Sequence, residues 1–299
     1  MPWKAPWRAS WSMRGNLPAS ADHGPTYPTR ASVCSLTMLD RVRSHLKPPL
    51  QSDQRNLHHP EREWFSQFHQ DETLWPLLQR LQPHGGFFVE SGAFDGETHS
   101  NTLTLERRAG WQGLLIEPDP LNHPALLARR RNAHILLGGI ATNLSDGLDS
   151  FALDRDRRIF GERGNFGENG ALAQLSKWRR TDGTMRPGQF AARVYVAPLG
   201  AVLRAVGRDV VDLWSLDVEG AEELVLEANL GSQTVGVLLI ETVTPRAHCL
   251  LNAQGLVLLG RLAGGDQVYA NESYLHTRNV SAPMAKRLLR RRAGQSMPV

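Results

Sequence analysis

The sequence predicts an α/β fold, a doubly wound and mostly parallel sheet with helices on both faces. Two observations carry this. Short apolar runs alternate with stretches of helical periodicity from Phe87 to Ala270, the rhythm of strand–helix–strand units. Three of the runs end in an acid, at Glu90, Glu117 and Asp217, and the carboxyl edge of such a sheet is where ligands bind.

The elements follow in chain order. From Glu61 to Leu81, Trp64, Phe65, Phe68, Leu74, Trp75, Leu77, Leu78 and Leu81 recur at three and four, predicting one or two helices. Pro83-His84-Gly85-Gly86 stops them. Gly86 to Glu90 reads as a strand and Asp95 to Arg108 as a helix. Gly113 to Glu117 is a second strand, ended by Pro118. Asn122 to Asn132 is helical, with Leu126 and Leu127 inward and Arg129 to Arg131 outward. His134 to Leu137 is a third strand and Val211 to Asp217 a fourth, followed by a helix over Ala221 to Asn229. Val235 to Thr242, Leu256 to Leu262 and Gln267 to Ala270 complete the strands. Residues 150–193, rich in Gly, Arg and Asp with a weak strand signal at Phe151, break the rhythm. They read as an excursion over the ligand edge.

Composition sets the limits. The chain has 299 residues, 41% hydrophobic and 21% charged, with a net charge of +4. It is long enough for one large or two small domains. Residues 1–60 hold eight Lys/Arg against three Asp/Glu, and residues 286–299 hold five Lys/Arg and no acid. Subtracting these from the totals of 34 and 30 leaves 21 basic and 27 acidic residues in 61–285. The folded part is therefore mildly acidic, and a nucleic-acid partner is not expected. The organisation expected is a disordered or weakly ordered basic segment over 1–60, a domain over 61–285, and a basic tail over 286–299. Seven prolines before residue 50 support the first boundary. Trp3, Trp7 and Trp11 recur every four residues but lack apolar partners.

No run of about 18 apolar residues occurs, so no transmembrane segment is expected. Cys34 and Cys249 form neither a disulfide framework nor a zinc spacing. Asn-x-Ser sequons begin at Asn143, Asn271 and Asn279, and without a signal peptide they read as chance. A cytoplasmic protein is expected. Mitochondrial targeting is the alternative, since Asp22 is the only acid before Leu39, although amphipathicity there is poor.

The segment Phe87 to Gly96 reads as strand, acid, glycine-rich turn and helix start. Gly92 permits a sharp turn and Gly96 a close ligand approach. Asp95 and Glu97 favour the positive end of the expected helix. A dinucleotide fingerprint needs a glycine at 94, where Phe94 stands. Glu90 and Asp95 would repel a pyrophosphate and suit a cationic, ribose-bearing ligand. S-adenosylmethionine carries a sulfonium, an ammonium and a ribose diol. Glu117 ends the second strand 21 positions past Gly96, where an acid accepts ribose hydroxyls; capping a nearby backbone is the other reading.

Four words carry a resemblance: Phe88-Val-Glu-Ser-Gly-Ala-Phe-Asp-Gly-Glu97, Ser100-Asn-Thr-Leu103, Gly110-Trp-Gln-Gly-Leu-Leu-Ile-Glu-Pro-Asp-Pro120 and Trp214-Ser-Leu-Asp-Val-Glu-Gly-Ala-Glu222. Leu239-Ile-Glu241 and Asp266-Gln-Val-Tyr269 also fit. Together they resemble the FkbM-type methyltransferases, in particular an animal branch similar to the fly Star protein. The likeness covers roughly 86–275. Members of that branch often carry an N-terminal membrane anchor, which this chain does not show. The resemblance implies a class I, Rossmann-like methyltransferase sheet of seven strands with the last antiparallel. It implies S-adenosylmethionine as methyl donor and an oxygen as the usual acceptor. Glu90, Gly92, Ala93, Asp95, Gly96, Glu117 and Asp217 are then the expected cofactor residues.

Asp217 and Glu219 leave the fourth strand two residues apart, so in extended backbone their side chains face the same way. Glu219 is the candidate general base and Asp217 a catalytic or cofactor-positioning acid; a place near the following helix start is the alternative for Glu219. Glu222 and Glu223 read as decorating that helix. Glu241, His248 and His99 are further base candidates. Ser176, Ser215 and Cys249 lack the context of a nucleophile. No His, Cys and carboxylate cluster has metal spacing along the chain, so no metal is expected. A non-catalytic binding or trafficking module on the same fold is the competing reading, and a nucleotide-sugar or dinucleotide enzyme a third. The acceptor and the oligomeric state are not legible.

Overall fold

The computed structural model describes residues 36–50, 55–154 and 189–290 of the chain. The tryptophans of the first eleven residues, most of the 150–193 excursion, Ser176 and residues 291–299 lie outside the described residues.

The apolar runs become strands that pair into one sheet. In chain order they are β1 (Leu46–Lys47), β2 (Phe87–Ser91), β3 (Gln112–Glu117), β4 (Ala133–Leu137), β8 (Val210–Leu216), β9 (Thr234–Ile240), β10 (Leu256–Arg261) and β11 (Gln267–Asn271). Their spatial order is β1-β4-β3-β2-β8-β9-β11-β10. The central five, β4-β3-β2-β8-β9, are mutually parallel. Strand β11 is antiparallel to both β9 and β10. Among the described residues the sheet thus has eight strands where seven are expected. The extra one is the two-residue β1, antiparallel to the β4 edge.

Helices cover both faces because strands β2, β3, β8 and β9 are buried along nearly their whole length. One face is covered by α1 (Met38–His45), α5 (Leu199–Ala205), α6 (Glu222–Asn229) and α7 (Pro245–Ala253), through Val42, Leu203, Leu226 and Leu251. The other is covered by α2 (Gln70–Leu81), α3 (Leu103–Ala109), α4 (His123–Ala128), α8 (Glu272–Thr277) and α9 (Ala282–Leu289), through Leu78, Leu105, Leu126, Leu275 and Leu288. Residue alternation along β2 serves both layers: Phe87 and Val89 enter the first, Phe88 the second.

A second sheet of β5 (Gly139–Ile140), β6 (Gly147–Asp154) and β7 (Gln189–Ala197) runs in the order β5-β7-β6. The two ends of the expected excursion are therefore paired strands, registered from Gly147↔Val196 to Asp154↔Gln189.

Both end boundaries shift. The segment expected to be weakly ordered contains α1 and β1. Thr37 and Asp40 form a reciprocal cap, Val42 is fully buried, and Arg41 pairs with Asp146 at 2.7 Å. His45 stacks on Tyr195 at 3.8 Å. At the other end Lys286 and Arg287 lie on the exposed side of α9, whose Leu288 and Leu289 are buried, so residue 286 falls inside a packed helix.

The expected helix over 61–81 begins only at Gln70, after His69 adopts φ +60. Before it, the Asp71 carboxylate accepts the Phe65 N–H at 2.8 Å. The strand order reverses between β2 and β8, which places a cleft at their carboxyl ends.

Candidate active site

The glycine turn after β2 is held by its neighbours rather than by a helix. Gly92 (φ +86), Phe94 (+49), Gly96 (+81) and His99 (+61) are all left-handed, which no α-helix tolerates in succession. Helix α3 starts at Leu103, so the expected helix over 95–108 is only its last part, and Asp95 and Gly96 do not sit at a helix start. Asp95 instead closes the turn, accepting from the Glu97 and Thr98 N–H groups at 2.9 and 2.7 Å. Burial would raise its carboxyl, but these bonds and Arg129 hold it below the usual range. A β-carbon on Gly96 would meet Leu126 at 2.8 Å, so this glycine permits packing on α4.

Glu117 lies beneath this turn, 4% exposed. One oxygen accepts from Phe94 N–H at 2.7 Å, the other from Asp119 N–H at 2.8 Å and Asn122 Nδ2 at 3.1 Å. Burial pushes its carboxyl up to about 7 in spite of those donors. The folded chain therefore holds this proton more tightly than the unfolded chain. The stability it contributes is full below about 4.5 and lost as pH rises through about 7. A ¹³C NMR titration of the Glu117 carboxyl should give a midpoint near 7; a midpoint near 4.5 would show that water reaches it freely.

A second buried layer supports the turn from below. The Glu90 carboxylate, wholly enclosed, accepts from Ser100 Oγ at 2.9 Å, Asn101 N–H at 2.7 Å and Thr102 Oγ1 at 2.6 Å. Burial raises it, offset by Arg131 and these donors. Arg131 meets the same loop at Ser100 Oγ, Thr102 Oγ1 and the Gly96 carbonyl, and pairs with Glu106 at 2.7 Å. Arg129 pairs with Asp95 and Glu97, and Glu97 accepts the N–H groups of His58 and His59. Arg129 and Arg131, expected to face outward, are 4% and 1% exposed. Leu127, expected inward, is 36% exposed. Helix α4 ends at Ala128, so the 3.6-residue period does not extend to the arginines.

The cleft above has a volume of about 300 Å³. Its lining brings together Glu90, Gly92, Ala93, Asp217, Glu219, Glu241 and His99 from the sequence-derived set. Asp95, Gly96, Glu117 and His248 are not in it. His248 lies on α7, with Nδ1 at 2.8 Å from the Tyr269 hydroxyl. Burial lowers the His99 imidazole. Residues that sequence reasoning gave no role also line the cleft, among them Phe68, Asn101 and Ser215. Asn101 stands in the quoted word Ser100-Asn-Thr-Leu103, the one signal that could have marked it.

Three carboxylates converge at the strand ends. Oxygens of Asp217, Glu219 and Glu241 lie within 4.8 Å of one another, a grouping that one cation could bridge and that no spacing along the chain reveals. Asp217 opens onto the cleft, yet protein packs densely around its carboxyl. That desolvation, then the charges of Glu241, Glu219, Glu222 and Asp266, push it well above the usual carboxylate range. Glu219 holds φ +56, a conformation that costs a non-glycine residue about 1–3 kcal/mol. It does not start the next helix. Glu222 does, 1% exposed and accepting the Val218 and Gly220 N–H groups, so it caps the turn from inside instead of decorating the helix surface. The chemistry on offer is cation binding beside a carboxylate able to take a proton.

Among the described residues no helix is long and apolar enough to cross a membrane. No curated protein matches the chain. The Methyltransferase FkbM domain matches residues 90–246, just over half of the chain, from the end of β2 into α7. That span includes Glu90, the glycine turn, Glu117 and all three converging carboxylates, and the chain belongs to the FkbM methyltransferase family.

Proposed function

We propose that the chain is an S-adenosylmethionine-dependent methyltransferase acting on a hydroxyl oxygen. The observation that carries this is the convergence of Asp217, Glu219 and Glu241 at the strand-order reversal, beside the glycine turn. Carboxylates so close raise each other's proton affinity and are relieved by a bound cation. The order β4-β3-β2-β8-β9-β11-β10, with β11 antiparallel, supports a class I methyltransferase sheet to which β1 is an addition.

The donor set fits the proposed cofactor. The Gly92–Phe94 turn would lie against it and Asp217 would hold its ammonium, while Glu117, outside the cleft lining and committed to three N–H donors, would hold the turn in place beneath the ribose. When bound, S-adenosylmethionine supplies a methyl group already activated on a sulfonium. The chain's own work is then orientation and proton removal, worth roughly 7–11 kcal/mol and about 10²–10⁴-fold respectively. Glu219 would take the proton that the acceptor hydroxyl loses as the methyl group passes to its oxygen, the C–S bond breaking as the C–O bond forms, and Glu241 lies in the same cluster. The finer placement in the Star-like branch of the family rests on the resemblance of the quoted words taken together.

Calorimetric titration with S-adenosylhomocysteine and, separately, NAD tests the reading. Wild type should bind the first and not the second. Asp217→Asn should weaken binding roughly 10–150-fold, the value of a charge-assisted hydrogen bond of about 1.5–3 kcal/mol. It should not lower the melting temperature, because a crowded, desolvated carboxylate is removed. A wild type that binds neither ligand favours the non-catalytic module.

A further inference from the structure

Asn101 is placed with unusual care for a loop residue. Its backbone N–H donates to Glu90, and its flanking hydroxyls Ser100 Oγ and Thr102 Oγ1 are gripped by Glu90 on one side and Arg131 on the other. Its side-chain Nδ2 donates to Ser215 Oγ at 3.0 Å, tying the loop to the end of β8. These contacts fix χ1 and χ2 and leave one atom unanswered. Asn101 Oδ1 is buried and has no hydrogen-bond partner among the described residues. A buried acceptor without a partner is costly, and most such groups in native structures have a partner or a reason.

The surroundings say what the partner is. Asn101 lines the cleft together with Asp217, Glu219, Glu241 and Glu90, and no Lys or Arg stands among the described lining residues. An acceptor atom in an acceptor-rich, anionic cleft calls for a donor, and a cationic N–H donor answers both the missing bond and the charge. We propose that Asn101 is a cofactor-specificity residue whose Oδ1 accepts an N–H from the α-ammonium of the methyl donor's amino-acid end, opposite Asp217. This rests on the methyltransferase reading. Glu90 and Arg131 then act as positioning residues: they hold the Ser100–Thr102 loop that carries the amide beside the cleft.

Calorimetry on the full chain tests this with two ligands. S-adenosylhomocysteine carries the ammonium; 5′-deoxy-5′-methylthioadenosine shares the nucleoside and lacks the amino-acid end. Asn101→Ala should bind S-adenosylhomocysteine roughly 10–150-fold more weakly, from about 1.5–3 kcal/mol, and the methylthio nucleoside within about twofold of wild type. Asn101→Asp, which keeps an acceptor there and lets Ser215 donate to it, should restore S-adenosylhomocysteine binding. Matching melting curves for both variants show that the fold is intact.

An Asn101→Ala chain that binds S-adenosylhomocysteine as wild type does overturns the proposal, as does an equal loss for both ligands. Asn101→Asp as weak as Asn101→Ala also overturns it, since the side chain would then be donating. In each of these cases wild-type binding still stands and the methyltransferase reading survives. A wild type that binds neither ligand removes both.

Discussion

Gly92→Ala is expected to destabilise the whole domain, lowering the melting temperature by roughly 5–20 °C. The sequence alone points to a milder outcome, a lost ligand with a modest change in stability, because a side chain at 92 would there either strain the turn or occupy ligand space. The structure puts something else there. A β-carbon on Gly92 would lie 2.2 Å from the Asp217 carbonyl oxygen, inside any permissible contact. The obstacle is backbone, so no rotamer relieves it. The backbone is also left-handed, at φ +86, which costs an L-residue about 1–2 kcal/mol. Overpacking adds about 1–3 kcal/mol. The sum, about 2–5 kcal/mol, converts at about 2–4 °C per kcal/mol for a domain of this size. Thermal denaturation followed by circular dichroism reads it directly, and a fall of less than about 2 °C would mean that the β2–β8 junction yields easily. Because the clash displaces Asp217 itself, lost ligand binding in this variant would not identify a cofactor contact. Asp217→Asn and Asn101→Ala are the informative probes.

Arg131→Met should be comparably damaging, for an electrostatic reason. Arg131 and Glu106 form an ion pair with both side chains fully enclosed, and Arg55 and the Asn132 N–H complete the carboxylate's partners. Removing one member of a buried pair costs about 3–5 kcal/mol where the other charge is left alone; Arg55 stays on Glu106, so the lower end of that range is expected. The loop over Glu90 also loses its second grip. The double variant Arg131→Met/Glu106→Leu should recover part of the loss, since the stranded charge goes with it. If the double variant is worse by the full sum of the two single effects, the pair is not coupled.

The pH dependence has a defined sign. Burial alone would raise the Glu106 carboxyl, but Arg131, Arg55 and the Asn132 N–H hold it below its ordinary 4.5. Its contribution is thus present above 4.5 and lost as pH falls through the lower folded value. The stability gap between wild type and Arg131→Met should therefore narrow as pH is lowered below about 4.5.

Much of the fold was legible because strand and helix patterns are local. The runs ending at Glu90, Glu117 and Asp217 lie within one residue of the observed strands. Helix α1 was not legible. It is only eight residues long, and its anchors, Asp146 and Tyr195, lie more than 100 residues away. The false helix over 95–102 arose because side-chain pattern carries no record of φ, and two left-handed residues, Gly96 and His99, stand in that stretch.

For the site, the division falls between residue type and direction. By itself the sequence determined that acids end the strands at the ligand edge and that a glycine turn follows β2. Both are consequences of strand register and of which residues accept a positive φ. Only the tertiary structure decided which acids face the cleft. Glu117 and Asp95 turn under the glycine loop to meet backbone N–H groups, and Glu90, though it borders the cleft, is satisfied by the Ser100–Thr102 loop. Asp217, Glu219 and Glu241 converge from two neighbouring strands. A buried carboxylate takes whichever donors the fold brings within hydrogen-bonding reach. Those donors belong to segments far away along the chain, so spacing cannot say whether an acid will be spent on structure or left to a ligand.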